Sequence, residues 1–338
     1  MNRYPAKVTM IVLLTILLVS ISSYSFAKEY GVYERVIEKA KGSISDIAGA
    51  IEKAASNEGF QVLAKFDVSS PEGCSYKAKV MVLNFPDYAR QILSINKKTG
   101  PFAVPVRISI FEDESGLNVS VVNPHSINRT ILLDDKKYEA LSNSILQDIR
   151  KIITSAVQGK VVNKQYGQLR SKGYIGRTMG VMAGGPFDSK VVTIHTVQGD
   201  LRSTSDTVKD ALSKGPGAKW GTRFVYSLDL SDKGVVIFGV TGTPMDSKSF
   251  DIVKAGGDSS RKKYECPGIA HAASFPVEVV VAKDGDDIKI SLINEMYRMK
   301  VYFEDAGMWA FAKNMTMPGS IQKEITEMVK AGFGSSRQ

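Results

Sequence analysis

Apolar residues alternate with polar ones over short runs and fall three and four apart over longer runs, and the two kinds of run occur in one order twice. In the first half, Val36-Ile37 opens a short strand. Ser43-Ile44-Ser45-Asp46 then predicts a helix start, because a serine side chain can accept a hydrogen bond from a backbone N–H of the first turn. Ile44, Ile47, Ala48 and Ile51 share one helix face, and Gly59 ends the helix. Phe60 to Val68 and Lys77 to Phe85 read as strands from their apolar, β-branched content. Pro86 opens a helix from Asp87 to Ile95, and Val104 to Glu112 with Leu117 to Val122 predict a hairpin turning at Asp113-Glu114-Ser115-Gly116. A helix from Lys136 to Ala156 closes the unit.

The second half repeats that order. Val191 to Val197 is a strand, Ser203-Thr204-Ser205-Asp206 opens a helix, and Thr222 to Leu230 and Val235 to Val240 are strands. Pro244 matches Pro86, Asp284-Gly285-Asp286-Asp287 turns the hairpin, and Ser320 to Lys330 supplies the closing helix. The repeat is visible in the residues themselves at a constant spacing of 171. Val104-Pro105-Val106-Arg107 returns as Phe275-Pro276-Val277-Glu278, and the register holds through Ser120 and Ser291, Asn123 and Asn294, Asp134 and Asp305. An insertion, Gly256 to Ala273, interrupts only the second copy. Hairpins beside helices, without regular strand–helix–strand alternation, predict an α+β fold. Each copy is expected to be an antiparallel sheet covered by helices on one face, and the two half-covered sheets to pack as an intramolecular pseudo-dimer.

The ends and the charge divide the chain further. Arg3 and Lys7, an apolar run from Val8 to Val19, and Ser25-Phe26-Ala27 read as a signal peptide over residues 1–27. The run is shorter than the roughly 18 to 20 apolar residues that span a bilayer. The first repeat then occupies 28–157, a basic Gly-containing linker 158–189 and the second repeat 190–332, with the processed protein placed in a bacterial periplasm or secreted. The chain carries 44 Lys and Arg against 35 Asp and Glu, a formal net charge of +9. No acidic residue lies between Asp148 and Asp188, where Arg150, Lys151, Lys160, Lys164, Arg170, Lys172 and Arg177 occur with Tyr166 and Tyr174. In an exported protein such a strip suits an anionic surface or acidic partner better than nucleic acid. Cys74 and Cys266, one in each half, are disulfide candidates, with two separate thiols as the alternative.

Candidate chemistry is sparse. The three histidines, His125, His195 and His271, lack the spacing of a zinc helix motif, and no Cys-x-x-Cys-His is present for covalent haem. There is no Gly-x-Ser-x-Gly, and Gly176 to Gly185 lacks the Gly-Lys-Ser/Thr ending of a phosphate loop. Asp134-Asp135 and Asp284-Asp286-Asp287 fall in turns, where carboxylates stay solvated. Met296, Met299, Met308, Met315 and Met317, with Cys266 and His271, supply soft donors suited to Cu(I), although methionines at helical spacing also fill cores.

One resemblance rests on short motifs. The Ser-x-Ser-Asp helix start, Glu58-Gly59-Phe60-Gln61-Val62-Leu63 entering a strand, Asn84-Phe85-Pro86 opening a helix, and the Pro105 hairpin ending at Asn123-Pro124 resemble the domain of unknown function 302 family. The likeness covers most of Glu34 to Ile153 and, more weakly, Val191 to Val329. It implies small α+β domains that associate as dimers, so that a tandem chain builds the dimer within itself, and it implies no particular activity. Many members carry a cysteine after the proline that opens the hairpin; Val106 and Val277 stand there in this chain. Glu295 and Met296 replace the Pro124 and His125 of the first copy.

These observations favour an exported, non-enzymatic binding or interaction protein without a resident cofactor or metal. Its ligand or envelope partner is expected in the cleft between copies, beside the turns carrying Asn123 and His125 and Asn294 and Met296, since an interface of this kind is a common place for a pocket. The alternatives are a periplasmic copper or redox accessory protein built on the late methionines, Cys266 and His271, and an enzyme of unrecognised type that uses a carboxylate or His125.

Overall fold

The computed structural model describes residues 29–132, 135–170, 184–255, 265–307 and 312–334. The signal-peptide segment lies outside them, as do Lys172, Tyr174, Arg177, Met308 and most of the glycine-rich run.

The first copy runs β1 (Tyr30–Glu38), α1 (Ile44–Asn57), β2 (Gln61–Val68), β3 (Ala78–Asn84), α2 (Pro86–Ile95), β4 (Val106–Asp113), β5 (Gly116–Val122), α3 (Pro124–Ile131), α4 (Asp135–Ala156) and β6 (Lys160–Arg170). The second runs β7 (Val191–Gln198), α5 (Leu201–Ser213), β8 (Arg223–Leu230), β9 (Val235–Thr241), α6 (Met245–Ala255), β10 (Val277–Asp284), β11 (Asp287–Ile293), α7 (Glu295–Phe303) and α8 (Thr316–Gly332). Both sheets are antiparallel. Their strand orders are β2-β3-β4-β5-β1-β6 and β7-β11-β10-β9-β8, so the second repeats the first without the edge strand β6. The fold is α+β, two antiparallel sheets with helices, and its buried apolar residues form one cluster that spans both copies.

Local chemistry accounts for the elements. Ser43 caps α1 reciprocally with Asp46: the serine hydroxyl accepts from the Asp46 N–H, and the Asp46 carboxylate accepts from the Ser43 N–H. Ile47, Ala48 and Ile51 are buried as the periodicity predicts. In the second copy the expected cap is displaced. Asp200, not Ser203, caps α5 by accepting from the Ser203 N–H, because an aspartate three residues upstream competes successfully for that orphan donor.

Two helices, α3 and α7, occupy the segments read as turns at Asn123-Pro124-His125 and Asn294-Glu295-Met296. Each is short and lacks a long apolar period, which is why pattern alone missed it. The expected linker is also revised. Its first part forms β6, which pairs with β1 from Glu38↔Lys160 to Tyr30↔Arg170, and Phe187 beyond it is fully buried.

Each strand of a central pair is covered on both faces. Along β4, Ile108 and Ile110 alternate with Arg107, Ser109 and Phe111, and all five are buried. Alternation directs the isoleucines and the other three to opposite faces of the sheet. The Arg107 side chain reaches residues of the second copy, so its face is the one that meets the other sheet. No helix among the described residues is long and apolar enough to cross a membrane.

Candidate functional site

The interface between the sheets is polar at its centre. Arg107 and Glu278 hold equivalent positions in the two copies, and they meet as an ion pair, Arg107 Nη1 to Glu278 Oε1 at 3.1 Å, with side chains 2% and 1% exposed. Residues that touch their own counterparts lie at the pseudo-two-fold axis. Two identical chains would set Arg against Arg there; the duplicated chain sets opposite charges together. Arg107 also donates to the Ser274 carbonyl at 3.1 Å and to the Tyr302 hydroxyl, and its guanidinium lies over the Tyr302 ring at 4.6 Å. Arg298 donates to the carbonyls of Ser274 and Pro276 and approaches Glu278 at 3.8 Å. Burial acts to lower the Arg107 pKa, but Tyr302 and Glu278 outweigh it and hold the group charged.

Near this strip, Glu295 begins α7 in an almost dry surrounding of Met245, Phe275 and Phe303. Burial, opposed by Arg298, pushes its carboxyl from 4.5 up to about 7. The folded protein therefore keeps a proton on Glu295 through a pH window in which the unfolded chain has released it. The sign follows: stability is greatest below the unfolded-state value and falls as pH rises through about 7, by about 3 kcal/mol in all. Asp246, pushed up to about 6 by burial, acts in the same direction. Urea denaturation is expected to show a more stable protein at pH 5 than at pH 8, and Glu295→Gln to flatten that slope. An unchanged slope in the variant would refute this account.

A cavity of about 480 Å³ opens at one end of the interface. The first copy contributes Arg35 from β1, Asp113, Glu114 and Ser115 from the β4–β5 turn, and Lys164, Tyr166 and Gly167 from β6. The second contributes a wall from Cys266 to His271, together with Asp305. Tyr166 ties the two sides by donating its hydroxyl to the Ala270 carbonyl at 2.6 Å. Burial raises the Tyr166 pKa, so the phenol stays protonated and the bond keeps its donor. His271 Nε2 lies 3.0 Å from Asp305 Oδ2, with its ring stacked on Phe303 and edge-on to Tyr33. Its Nδ1 is buried without a hydrogen-bond partner. Arg35 pairs with Asp113 at 3.0 Å and packs over the rings of Phe111 and Tyr166.

Cys74 and Cys266 are joined by a disulfide, with Cα atoms 5.8 Å apart. The bond fastens the β2–β3 loop of the first copy to the cleft wall of the second. Hydrogen bonds run beside it: Ser75 N–H and hydroxyl donate to Glu265, the Glu265 N–H to Glu114, and the Ser69 N–H to Asp246. The Cys74, Glu265 and Cys266 donor atoms lie within 4.8 Å of one another, but sulfurs bonded to each other present no thiolate to a metal.

The four residues expected to rim the cleft sit elsewhere. Asn123 and Asn294 cap α3 and α7, accepting from the N–H groups of His125 and Tyr297, both at 3.0 Å. His125 stacks on Tyr30 with centroids 4.4 Å apart, against a void of about 10 Å³ that holds at most one water. Met296 packs against the core. The soft-donor set does not gather either: His271 lines the cleft, whereas Met299 and Met317 border a separate apolar void of about 30 Å³. Of the strip's described basic residues, four are in ion pairs, Arg150 with Glu34, Lys151 with Glu58, Lys160 with Glu38 and Arg170 with Glu304. Among the described basic residues of the strip, Lys164 alone lines the cavity.

The cleft is built from the two places where the duplication breaks. Among the described residues β6 has no counterpart in the second sheet, and the wall spans the end of residues 256–268 and the start of the 3₁₀ turn that follows, where the first copy has only 96–99 between helix and 3₁₀ turn. Those irregularities were the signal in the sequence; the paired asparagines, which obey the repeat, were not.

Fold and cleft together define a tandem α+β protein whose two copies close one asymmetric pocket between them. Residues 36–156, within the first copy, match the family model described as Domain of unknown function DUF302. A similar solved structure is the crystal structure of an uncharacterized conserved DUF302 protein from Bacillus stearothermophilus, 13% identical, with a TM-score of 0.32, covering 37% of this chain and 98% of that one. No curated protein matches the chain.

Proposed function

We propose that this is an exported, non-catalytic binding protein whose ligand occupies the cleft between the copies. The observation that carries the reading is the cavity of about 480 Å³, walled by both copies and lined by charged and polar side chains around apolar surface. That size and composition suit a small molecule. The disulfide supports the export part of the reading, because such bonds persist in oxidising compartments. His271 and Asp305 do not favour the enzyme alternative, since the imidazole is enclosed by rings and its second nitrogen is buried.

Native mass spectrometry of protein exported by its own host tests the proposal. A bound mass that denaturation releases is expected, and Ala270→Trp, which fills the cavity from its wall, should abolish it without lowering the melting temperature. Retention of the same mass by the tryptophan variant would place the ligand elsewhere and remove the cleft from consideration.

A further inference from the structure

The polar groups of the cleft divide into those already matched and those left over, and the division describes a ligand. Inside, Tyr166 donates to Ala270, His271 to Asp305, and the Arg35 guanidinium is held by Asp113 and Glu38. Asp113 also accepts from the Ser115 N–H at 2.8 Å. With these groups engaged, the remaining interior surface is apolar: Pro267, Ile269 and the disulfide sulfur of Cys266. At the mouth two exposed residues of opposite sign remain. Lys164 has no carboxylate partner among the described residues, and Glu114 accepts only the backbone N–H of Glu265 there, through one of its two oxygens. Both belong to the first copy and both line the same cavity.

We infer that the cleft takes a small zwitterion with an apolar body, its carboxylate held by Lys164, its ammonium by Glu114, and its body against Ile269, Pro267 and the Tyr166 ring. An apolar amino acid or a very short peptide is a ligand of this class. A purely anionic or purely cationic molecule of the same body would leave one of the two rim charges unmatched and place its own charge beside the unlike-signed neighbour alone. This inference rests on the cleft reading of the preceding subsection.

Three probes with one body separate the charge argument from the cleft argument: phenylalanine, N-acetylphenylalanine, which keeps only the carboxylate, and phenylalaninamide, which keeps only the ammonium. Calorimetric titration of the intact, oxidised protein is expected to rank phenylalanine about 3- to 5-fold tighter than either analogue, the scale of a single exposed ion pair. Lys164→Met should erase its advantage over phenylalaninamide, and Glu114→Gln its advantage over N-acetylphenylalanine. Both side chains are exposed, and unchanged melting temperatures will show that the variants fold. An analogue that binds as tightly as phenylalanine overturns the zwitterion and leaves the cleft standing. Binding that persists in Ala270→Trp, or no binding of any probe at millimolar concentration, overturns both.

Discussion

Arg107→Ala is expected to lower the unfolding free energy by about 3 to 5 kcal/mol, the usual cost of removing one partner of a buried ion pair. The loss comes less from the attraction than from what is left behind. Glu278 is 1% exposed, and without Arg107 its nearest cation is Arg298 at 3.8 Å. Glu278→Ala should cost at least as much, since it leaves the buried guanidinium groups of Arg107 and Arg298 without the carboxylate they share. The reversed pair, Arg107→Glu with Glu278→Arg, is expected to recover part of the loss. Its recovery is incomplete because Ser274 and Tyr302 are placed for a guanidinium on β4. Urea denaturation with an unchanged slope is the measurement, and a cost below about 1 kcal/mol for Arg107→Ala would show that water enters the interface freely.

The second large effect concerns the cross-link. Replacing Cys74 and Cys266 by serine is expected to destabilise the protein by about 2 to 5 kcal/mol, within the range for native disulfides that close long loops. The bond joins residues 192 apart and spans the two copies, so its loss should also loosen the cleft wall. Hydrogen exchange in the variant should quicken around residues 265–271 more than in β3 and β4, whose strands are paired on both sides. The intact mass before and after reduction should differ by two hydrogens. Equal masses, or a variant as stable as the parent, would contradict this role.

These expectations depend on features that were visible in the sequence to very different degrees. The repeat at a spacing of 171, the strands β2, β3, β8 and β9, the hairpins and the closing helices follow from local pattern, because strand alternation and helix periodicity are properties of neighbouring residues. The start of α5 was misplaced by three residues, since Asp200 and Ser203 are both competent caps and only the backbone geometry decides which one faces the orphan N–H. Strand β6 was read as linker because Lys160 to Arg170 is basic and half-exposed, the normal character of an edge strand, and charge patterning does not report strand pairing.

The site divides in the same way. Cys266, His271, Tyr166 and Lys164 were all conspicuous as residue types, yet nothing local indicated that they share one cavity. Asn123 and Asn294 drew attention because they recur, and they recur because both copies need a capped short helix at the same place. Arg107 and Glu278 stood in the alignment of the copies as an unremarkable difference, and became a pair only when the two sheets were laid face to face.

By itself, then, the sequence determined the duplication, the α+β composition of each copy and the places where the two copies differ, since these are carried by period, spacing and residue identity along the chain. Which differences matter was decided by the tertiary structure. Packing one sheet against the other brings position 107 onto position 278, ties residue 74 to residue 266, and encloses a cavity between β6 and the inserted wall. Contacts between residues more than a hundred positions apart arise from the burial of sheet faces against one another, which has no direction along the chain and leaves no local mark in it.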